Sequence, residues 1–225
     1  MSHISAELFG YLRELRTNNE RSWFEANRER YETAVREPLL RFVRDFETPL
    51  SEISPSMLAI AKKRGGSLFR IHRDVRFSRD KSPYKTWAAL QFRHEDGRDV
   101  HAPGFYLHLA PGEVFAGAGV WRPGRRELGA IRDRIVERPD AWRTVRDTVS
   151  GRGWTLAGDS LKRGPRGYDR EHPLIEDLCR KDFVVTRPLT EDEVTRPGFL
   201  GDFAAMCAQT VPLMRFLARA VDLEF

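Results

Sequence analysis

The sequence predicts a single α+β domain in which an antiparallel β-sheet is flanked by N-terminal and C-terminal helices. Three observations carry this. Apolar residues recur at helical spacing through residues 4–51 and again through 199–221. Between them, over residues 67–188, the apolar period shortens to two, with further helices inserted. The 225 residues suffice for one sizeable core, and no repeat or linker marks a boundary.

The elements follow in order. Ile4, Leu8, Leu12 and Leu15 make the first helical stripe, with Ser5 placed to cap it. Asn18-Asn19 interrupts. Phe24, Asn27, Tyr31 and Val35 then share a face, with Trp23 beside it. Pro38 lacks the N–H an interior turn needs and must restart or kink the helix. Leu39, Phe42, Val43, Phe46 and Leu50 continue the stripe. Ser54-Pro55 and Gly65-Gly66 bound a loop. From Phe69 to Phe77 a strand is expected, with Phe69, Ile71, Val75 and Phe77 facing one way and Arg70, His72, Asp74 and Arg76 the other. Arg73 sits on the apolar parity, so it needs a partner, which a carboxylate or an anionic ligand can supply. Pro83 ends a polar turn from Ser78. Thr86 to Arg93 reads as the next strand, followed by a polar turn around Gly97 from His94 to Asp99.

Pro111-Gly112 is a strong turn signal between Phe105–Ala110 and Val114–Gly119. If Ala110 opposes Glu113, then Leu109 meets Val114, Leu107 meets Ala116 and Phe105 meets Ala118, which makes a core face. The other face carries Tyr106, His108, Phe115, Gly117 and Gly119, with Trp121 just beyond. Two strand glycines imply that something approaches the backbone closely there, a helix or a ligand. Pro123 can open a helix with Leu128, Ile131 and Ile135. Pro139 opens another with Trp142, Val145 and Val149, ended by Gly151-Arg152-Gly153. A short strand at Trp154–Leu156, a short helix at Leu174–Cys179 and a strand at Phe183–Arg187 precede one long terminal helix over Phe199–Val221.

Composition narrows the class. The chain is 40% hydrophobic and 32% charged, as in soluble globular proteins. No apolar run of membrane length is present, and Met1–Ser5 does not open a secretory signal. Cys179 and Cys207 stand in no metal or redox spacing and read as thiols of a reducing, cytoplasmic compartment. The net charge is +5, yet Lys62–Arg93 alone carries ten Lys/Arg against Asp74 and Asp80, a local +8. The rest sums to −3. The basic excess therefore belongs to one region, suited to phosphate, carboxylate or a nucleic-acid backbone.

That region holds the string Arg73-Asp74-Val75-Arg76-Phe77-Ser78-Arg79-Asp80-Lys81-Ser82-Pro83-Tyr84-Lys85. With Asn19, Trp23, Phe24 and Asn27 before it, Gly117, Gly119, Trp121 and Pro123 after it, and Leu161-Lys162-Arg163 with Pro165, Gly167, Tyr168, His172 and Pro173, the chain resembles the domain of unknown function 2461 family over nearly its whole length. The resemblance implies a single α+β domain and supplies no catalytic residues.

The residues themselves fit a phosphate clamp best. Arg presents a planar fork of donors and Lys a point charge. Arg73, Arg76, Lys81 and Lys85 are the expected anion ligands, with Ser78, Ser82 and Tyr84 as neutral donors. A second basic loop containing Lys162, Arg163, Arg166 and Tyr168 is expected to close over the same site, and Trp121 or Tyr106 to stack on a ring. The expected partner is a phosphorylated small molecule. A nucleic-acid-binding module is the first alternative, although no helix-turn-helix, zinc-finger or RNP signature is present. A scaffold whose charges only staple the turn is the second. Catalysis has weak candidates in Asp74, His108 and Tyr84. Carboxylates near the patch are too few for a phosphoryl-transfer metal site; His72, Asp74 and His108 form a metal set only if neighbouring strands bring them together. No P-loop, dinucleotide fingerprint or nucleophile elbow occurs, so no cofactor is expected.

Overall fold

A computed structural model describes residues 2–96 and 102–225. The N-terminal third is helical: α1 (Ala6–Thr17), α2 (Arg21–Ala26), α3 (Arg28–Tyr31), α4 (Glu37–Asp45) and α5 (Glu47–Ile53). Ser5 starts α1 through its carbonyl, which accepts from the Leu8 N–H at 3.1 Å; its hydroxyl makes no cap bond. A π-helical segment, Glu32–Arg36, joins α3 to α4, and Pro38 lies in the first turn of α4. The missing proline N–H shifts the hydrogen-bond register here, so the helix bulges and continues.

The six-stranded antiparallel sheet has the order β1-β2-β3-β4-β6-β5: β1 (Met57–Leu58), β2 (Ala88–His94), β3 (Gly104–Ala110), β4 (Glu113–Val120), β5 (Thr155–Ala157) and β6 (Phe183–Leu189). The β3–β4 hairpin has the expected register, Ala110 opposite Glu113, Leu107 opposite Ala116 and Phe105 opposite Ala118. Leu90, Phe92, Phe105 and Leu107 face the core and are fully buried. Phe46 and Phe203 pack against Phe92 on this face with tilted rings, and Phe225 reaches Phe105. Helices from both ends of the chain thus cover the same side of the sheet. Beyond β4, α6 (Arg125–Glu137) and α7 (Pro139–Ser150) place Ile131, Ile135, Trp142 and Val149 in the core. The short α8 (Ile175–Leu178) precedes β6, and α9 (Glu191–Thr195), opened by a Thr190–Glu193 capping box, follows it.

Three expectations are corrected. The terminal helix is two helices, α10 (Phe199–Gln209) and α11 (Val211–Ala220). Pro212 has no N–H to continue the ladder, and the Thr210 hydroxyl donates to the Cys207 carbonyl at 2.8 Å across the break. The strand expected over Phe69–Phe77 is an extended arm with two isolated bridges, Leu68 to Leu90 and His72 to Tyr84. Four residue steps on one side of this arm face six on the other, so Lys85–Trp87 bulge and no regular ladder can form. Past Val75 the arm becomes a turn, and Phe77 is 95% exposed rather than core-facing. The turn expected around Gly97 and Asp99 lies outside the described residues.

The strand glycines answer to backbone and ring, not to a helix. Gly119 has φ +124°, and a Cβ there would stand 2.1 Å from the Phe183 carbonyl oxygen of β6. At Gly117 a Cβ would meet the Tyr106 side chain at 3.5 Å and the Val185 carbonyl oxygen of β6 at 3.7 Å, both ordinary contacts.

Candidate functional site

The basic arm is built first by its docking on the N-terminal helices. Asn19 acts as a strand partner for Tyr84: its Nδ2 donates to the Tyr84 carbonyl and its Oδ1 accepts the Tyr84 N–H, both at 3.0 Å. The Phe24 ring stacks on Tyr84 with centroids 4.1 Å apart and 18° between planes, and Tyr84 is buried. His72 closes the group at 5.2 Å from Tyr84 and 6.1 Å from Phe24. Burial pushes the His72 imidazole down, and Arg70, Arg28 and Arg21 push it further. The helical motif at the chain start and the basic string are therefore two halves of one interlock.

The turn beyond is stapled to itself. Arg73 donates to the Asp80 carboxylate and, at 3.4 Å, to the Ser78 hydroxyl. The Ser82 hydroxyl and N–H both donate to Asp80, at 2.6 and 2.9 Å. Those bonds and Arg73 hold the Asp80 carboxyl far below its usual range. Arg76 grips Asp74 through Nε at 3.0 Å and Nη2 at 2.7 Å, which brings Asp74 down to about 2. The Lys81 ammonium donates to the Val75 carbonyl at 2.9 Å. Of the expected anion ligands, Arg73, Arg76 and Lys81 thus already have protein acceptors, and Asp74 is the orienter of Arg76. Among the described residues, Arg70 and Arg79 have no carboxylate within salt-bridge distance.

Lys85 differs from its neighbours. Its ammonium donates to the Arg70 carbonyl at 2.9 Å and lies 4.7 Å from the Trp87 ring centre and 5.1 Å from that of Phe69. No carboxylate faces it among the described residues. Burial, then the Arg70 charge, lowers its pKa. The two rings beside it open onto the sheet face away from the core. There Trp87 meets His108 at 5.1 Å, Phe69 meets Tyr106 edge-on at 6.1 Å, and His108 stacks on Phe115 at 4.8 Å. The Tyr106 hydroxyl and His108 Nδ1 are hydrogen-bonded at 2.9 Å. Burial raises the phenol and lowers the imidazole, so both are held neutral, against a small opposite pull on His108 from Glu113. Phe69, Trp87, Tyr106 and Phe115 are half-buried, and among the described residues no helix side chain makes a ring contact with this face.

The ring cluster runs into a cleft. Gln91, opposite Tyr106 in the ladder, and Arg93 line a cleft of about 230 Å³ together with Leu58, Ile60, Gly66 and Ser67. The volume is below that of a typical small-molecule pocket, so it suits part of a ligand. In the sequence this face was marked only by Tyr106, His108 and Phe115 sharing a parity. Phe69 and Trp87 join it through the bulge, which no sequence period signals.

The remaining expected residues lie elsewhere. The arm extends past the N-terminal end of β2. The Lys162–Tyr168 loop follows β5, whose Ala157 shares a row with Val184, Gly119, Gly104 and Arg93 at the opposite end of the strands. The two basic segments occupy diagonally opposite corners of the sheet, and this loop does not close over the arm. Tyr168 instead donates to Asp133 of α6 at 2.7 Å, and Lys162 and Arg163 are solvent-facing. Trp121, 51% exposed, follows β4 at that far end, with the Arg122 guanidinium 5.6 Å from its ring. His72, Asp74 and His108 are not brought together: His72 faces Phe24 and Tyr84, and His108 faces Tyr106. Among the described residues no three His, Cys, Asp or Glu side chains are placed to hold a metal ion.

Residues 7–216 match the model of the family described as conserved hypothetical protein (DUF2461). The chain belongs to this family. The DUF2461 match covers both the Asn19–Asn27 motif and the basic string, the two partners of the interlock described above. No curated protein matches the chain. Among the described residues no helix is long and apolar enough to cross a membrane.

Proposed function

We propose that this DUF2461 chain is a binding protein for a phosphate-bearing ligand that contains a planar ring, of the mononucleotide class, and that it takes this ligand on the open sheet face. The observation behind the reading is the Phe69–Trp87–Tyr106–His108–Phe115 cluster with Lys85 at its edge, a cation with no carboxylate facing it among the described residues. Aromatic faces stack on planar rings, and an ammonium beside them meets the phosphate. Arg70 adds charge next to Lys85. In this reading Arg73 and Arg76 are positioning residues: they hold the turn and leave the ligand to Lys85 and Arg70. Tyr106 and His108, both neutral, offer a hydrogen-bonding pair to the ring rather than an acid and a base. Both cysteines are free thiols, in keeping with a reducing cytoplasm. Calorimetric titration with nucleoside monophosphates tests the reading. Lys85→Met and Trp87→Ala should each weaken binding about tenfold or more while the protein still melts cooperatively. Binding indifferent to both substitutions, or no binding at millimolar ligand, would overturn it.

A second reading is favoured by a separate observation, the pairing of Arg73 with Asp80 and of Arg76 with Asp74. In it the basic string is only a staple and the protein is a scaffold. In both readings Arg73→Ala quickens amide exchange over residues 74–82, because Arg73 holds the turn through Asp80. The titration separates them: a scaffold binds no nucleoside monophosphate, whereas the first reading requires binding that Lys85→Met weakens.

A further inference from the structure

Phe77 is the most exposed large apolar residue described, 95% accessible at the tip of the stapled turn. It contributes nothing to the core. Its neighbours, by contrast, are fixed: Arg76 by Asp74, Ser78 by the Val75 carbonyl and Arg73, Asp80 by Ser82 and Arg73, and Lys81 by the Val75 carbonyl. The turn spends its polar groups on holding its own shape and presents a bare ring. A rigid exposed aromatic loses little conformational entropy on contact, which suits it to an intermolecular role. The Arg76 guanidinium lies 5.9 Å from the ring centre, and Arg79 is exposed two residues on.

The surroundings select the partner. Arg70 and Arg79, on the two sides of the tip in the sequence, are exposed and meet no carboxylate within salt-bridge distance among the described residues, and the Lys62–Arg93 segment that holds them sums to +8, which suits a polyanion. An anionic bilayer fits less well, because Phe77 is flanked in the sequence by Arg76, Ser78, Arg79 and Asp80, and it is the one exposed large apolar residue of the turn among the described residues. An apolar pocket on a protein would use the tip but leave the wider charge without a counterpart. We infer that the ligand of the open face is one residue of a single-stranded nucleic acid, and that Phe77 stacks on a further base of the same strand. This rests on the mononucleotide reading of the sheet face and extends it from a monomer to a polymer. Stacking on an aromatic residue is tolerant of sequence, so the preference is for single strands over duplex rather than for a particular base.

The test is fluorescence anisotropy of a labelled twelve-residue oligothymidylate, run beside a titration with thymidine monophosphate. The oligonucleotide should bind more tightly than the monophosphate and than a duplex of equal length. Phe77→Ala should weaken the oligonucleotide roughly tenfold and leave the monophosphate unchanged, while Phe77→Trp should retain wild-type affinity within about threefold. The salt slope should be unaltered in Phe77→Ala and about one smaller in Arg79→Ala. An oligonucleotide that binds no tighter than the monophosphate, or one that Phe77→Ala binds as wild type does, overturns this inference and leaves the sheet-face reading standing. Failure of both ligands overturns the two together. Phe77-dependent sedimentation with phosphatidylserine vesicles, without oligonucleotide binding, reassigns the tip to a membrane.

Discussion

Arg73 stands where the alternation of Phe69, Ile71 and Val75 calls for an apolar side chain, and Asp80 is the partner that makes this affordable. The position was visible in the sequence as a break in parity. Its partner was not, because Asp80 reaches Arg73 only through the shape of a turn that Ser82 and Pro83 define. The pairing is pH-sensitive. Hydrogen bonds and Arg73 depress the Asp80 carboxyl, and Asp74 is brought down to about 2, so these contacts are fully present above the ordinary carboxylate range and are lost as pH falls through the native values. Amide exchange in residues 74–82 should therefore stay slow down to about pH 4 and quicken below it, and Asp80→Asn should show the quicker exchange already at pH 7. Gly119 and Gly117 give a sharper residue-scale contrast. Gly119→Ala drives a Cβ into the Phe183 carbonyl at a positive φ and should cost roughly 3 kcal/mol or more, measured by urea unfolding. Gly117→Ala meets ordinary contacts with Tyr106 and the Val185 carbonyl and should cost less than about 1.5 kcal/mol. The pair of glycines was legible as a sign of close approach. That the approaching group at Gly119 is strand β6, and not a helix or ligand, depends on a pairing some sixty residues away in the chain.

At the scale of elements, the β3–β4 hairpin was readable down to its register, because Pro111-Gly112 sets the turn and a one-residue slip would send six apolar side chains to the wrong face. The arm from Leu68 to Tyr84 was not. Its alternating pattern looks like a strand through Phe77, but the bulge at Lys85–Trp87 breaks the ladder and lets the tip leave the sheet. What holds the arm is Asn19, which replaces a missing strand with one side-chain amide. Asn19→Ala should cost about 1–3 kcal/mol, since it leaves a part-buried N–H and carbonyl of Tyr84 without partners. Amide exchange should rise selectively over residues 71–85. If the loss is spread evenly over the molecule, the interlock is not a separate unit. The single terminal helix failed for a local reason that the sequence did contain: Pro212, which separates α10 from α11.

The whole molecule has one core face and one open face. The long helices crowd onto the side of Phe92 and Phe105, and among the described residues the rings that meet Tyr106 and His108 from off the β3–β4 hairpin are those of Phe69 and Trp87. Burial lowers the His108 imidazole, so the unfolded chain takes up a proton there more readily than the native state. Stability should fall as pH drops below about 6.5, the ordinary imidazole value, and continue to fall towards the lower native one. His108→Gln should flatten the decline in urea midpoint between pH 7 and 5; an unchanged slope would show that His108 does not report the dryness of the face. The sequence by itself determined the α+β class, the core stripes, the hairpin register and the location of the basic excess, because periodicity, turn chemistry and charge are local properties of the chain. Tertiary structure alone decided which cations are spent on the turn's own carboxylates, that the two basic loops lie at opposite corners of the sheet, and that Lys85 and the rings converge on an open face. Those outcomes depend on strand order and on one bulge, and they join residues whose separation in the chain carries no signal of their contact.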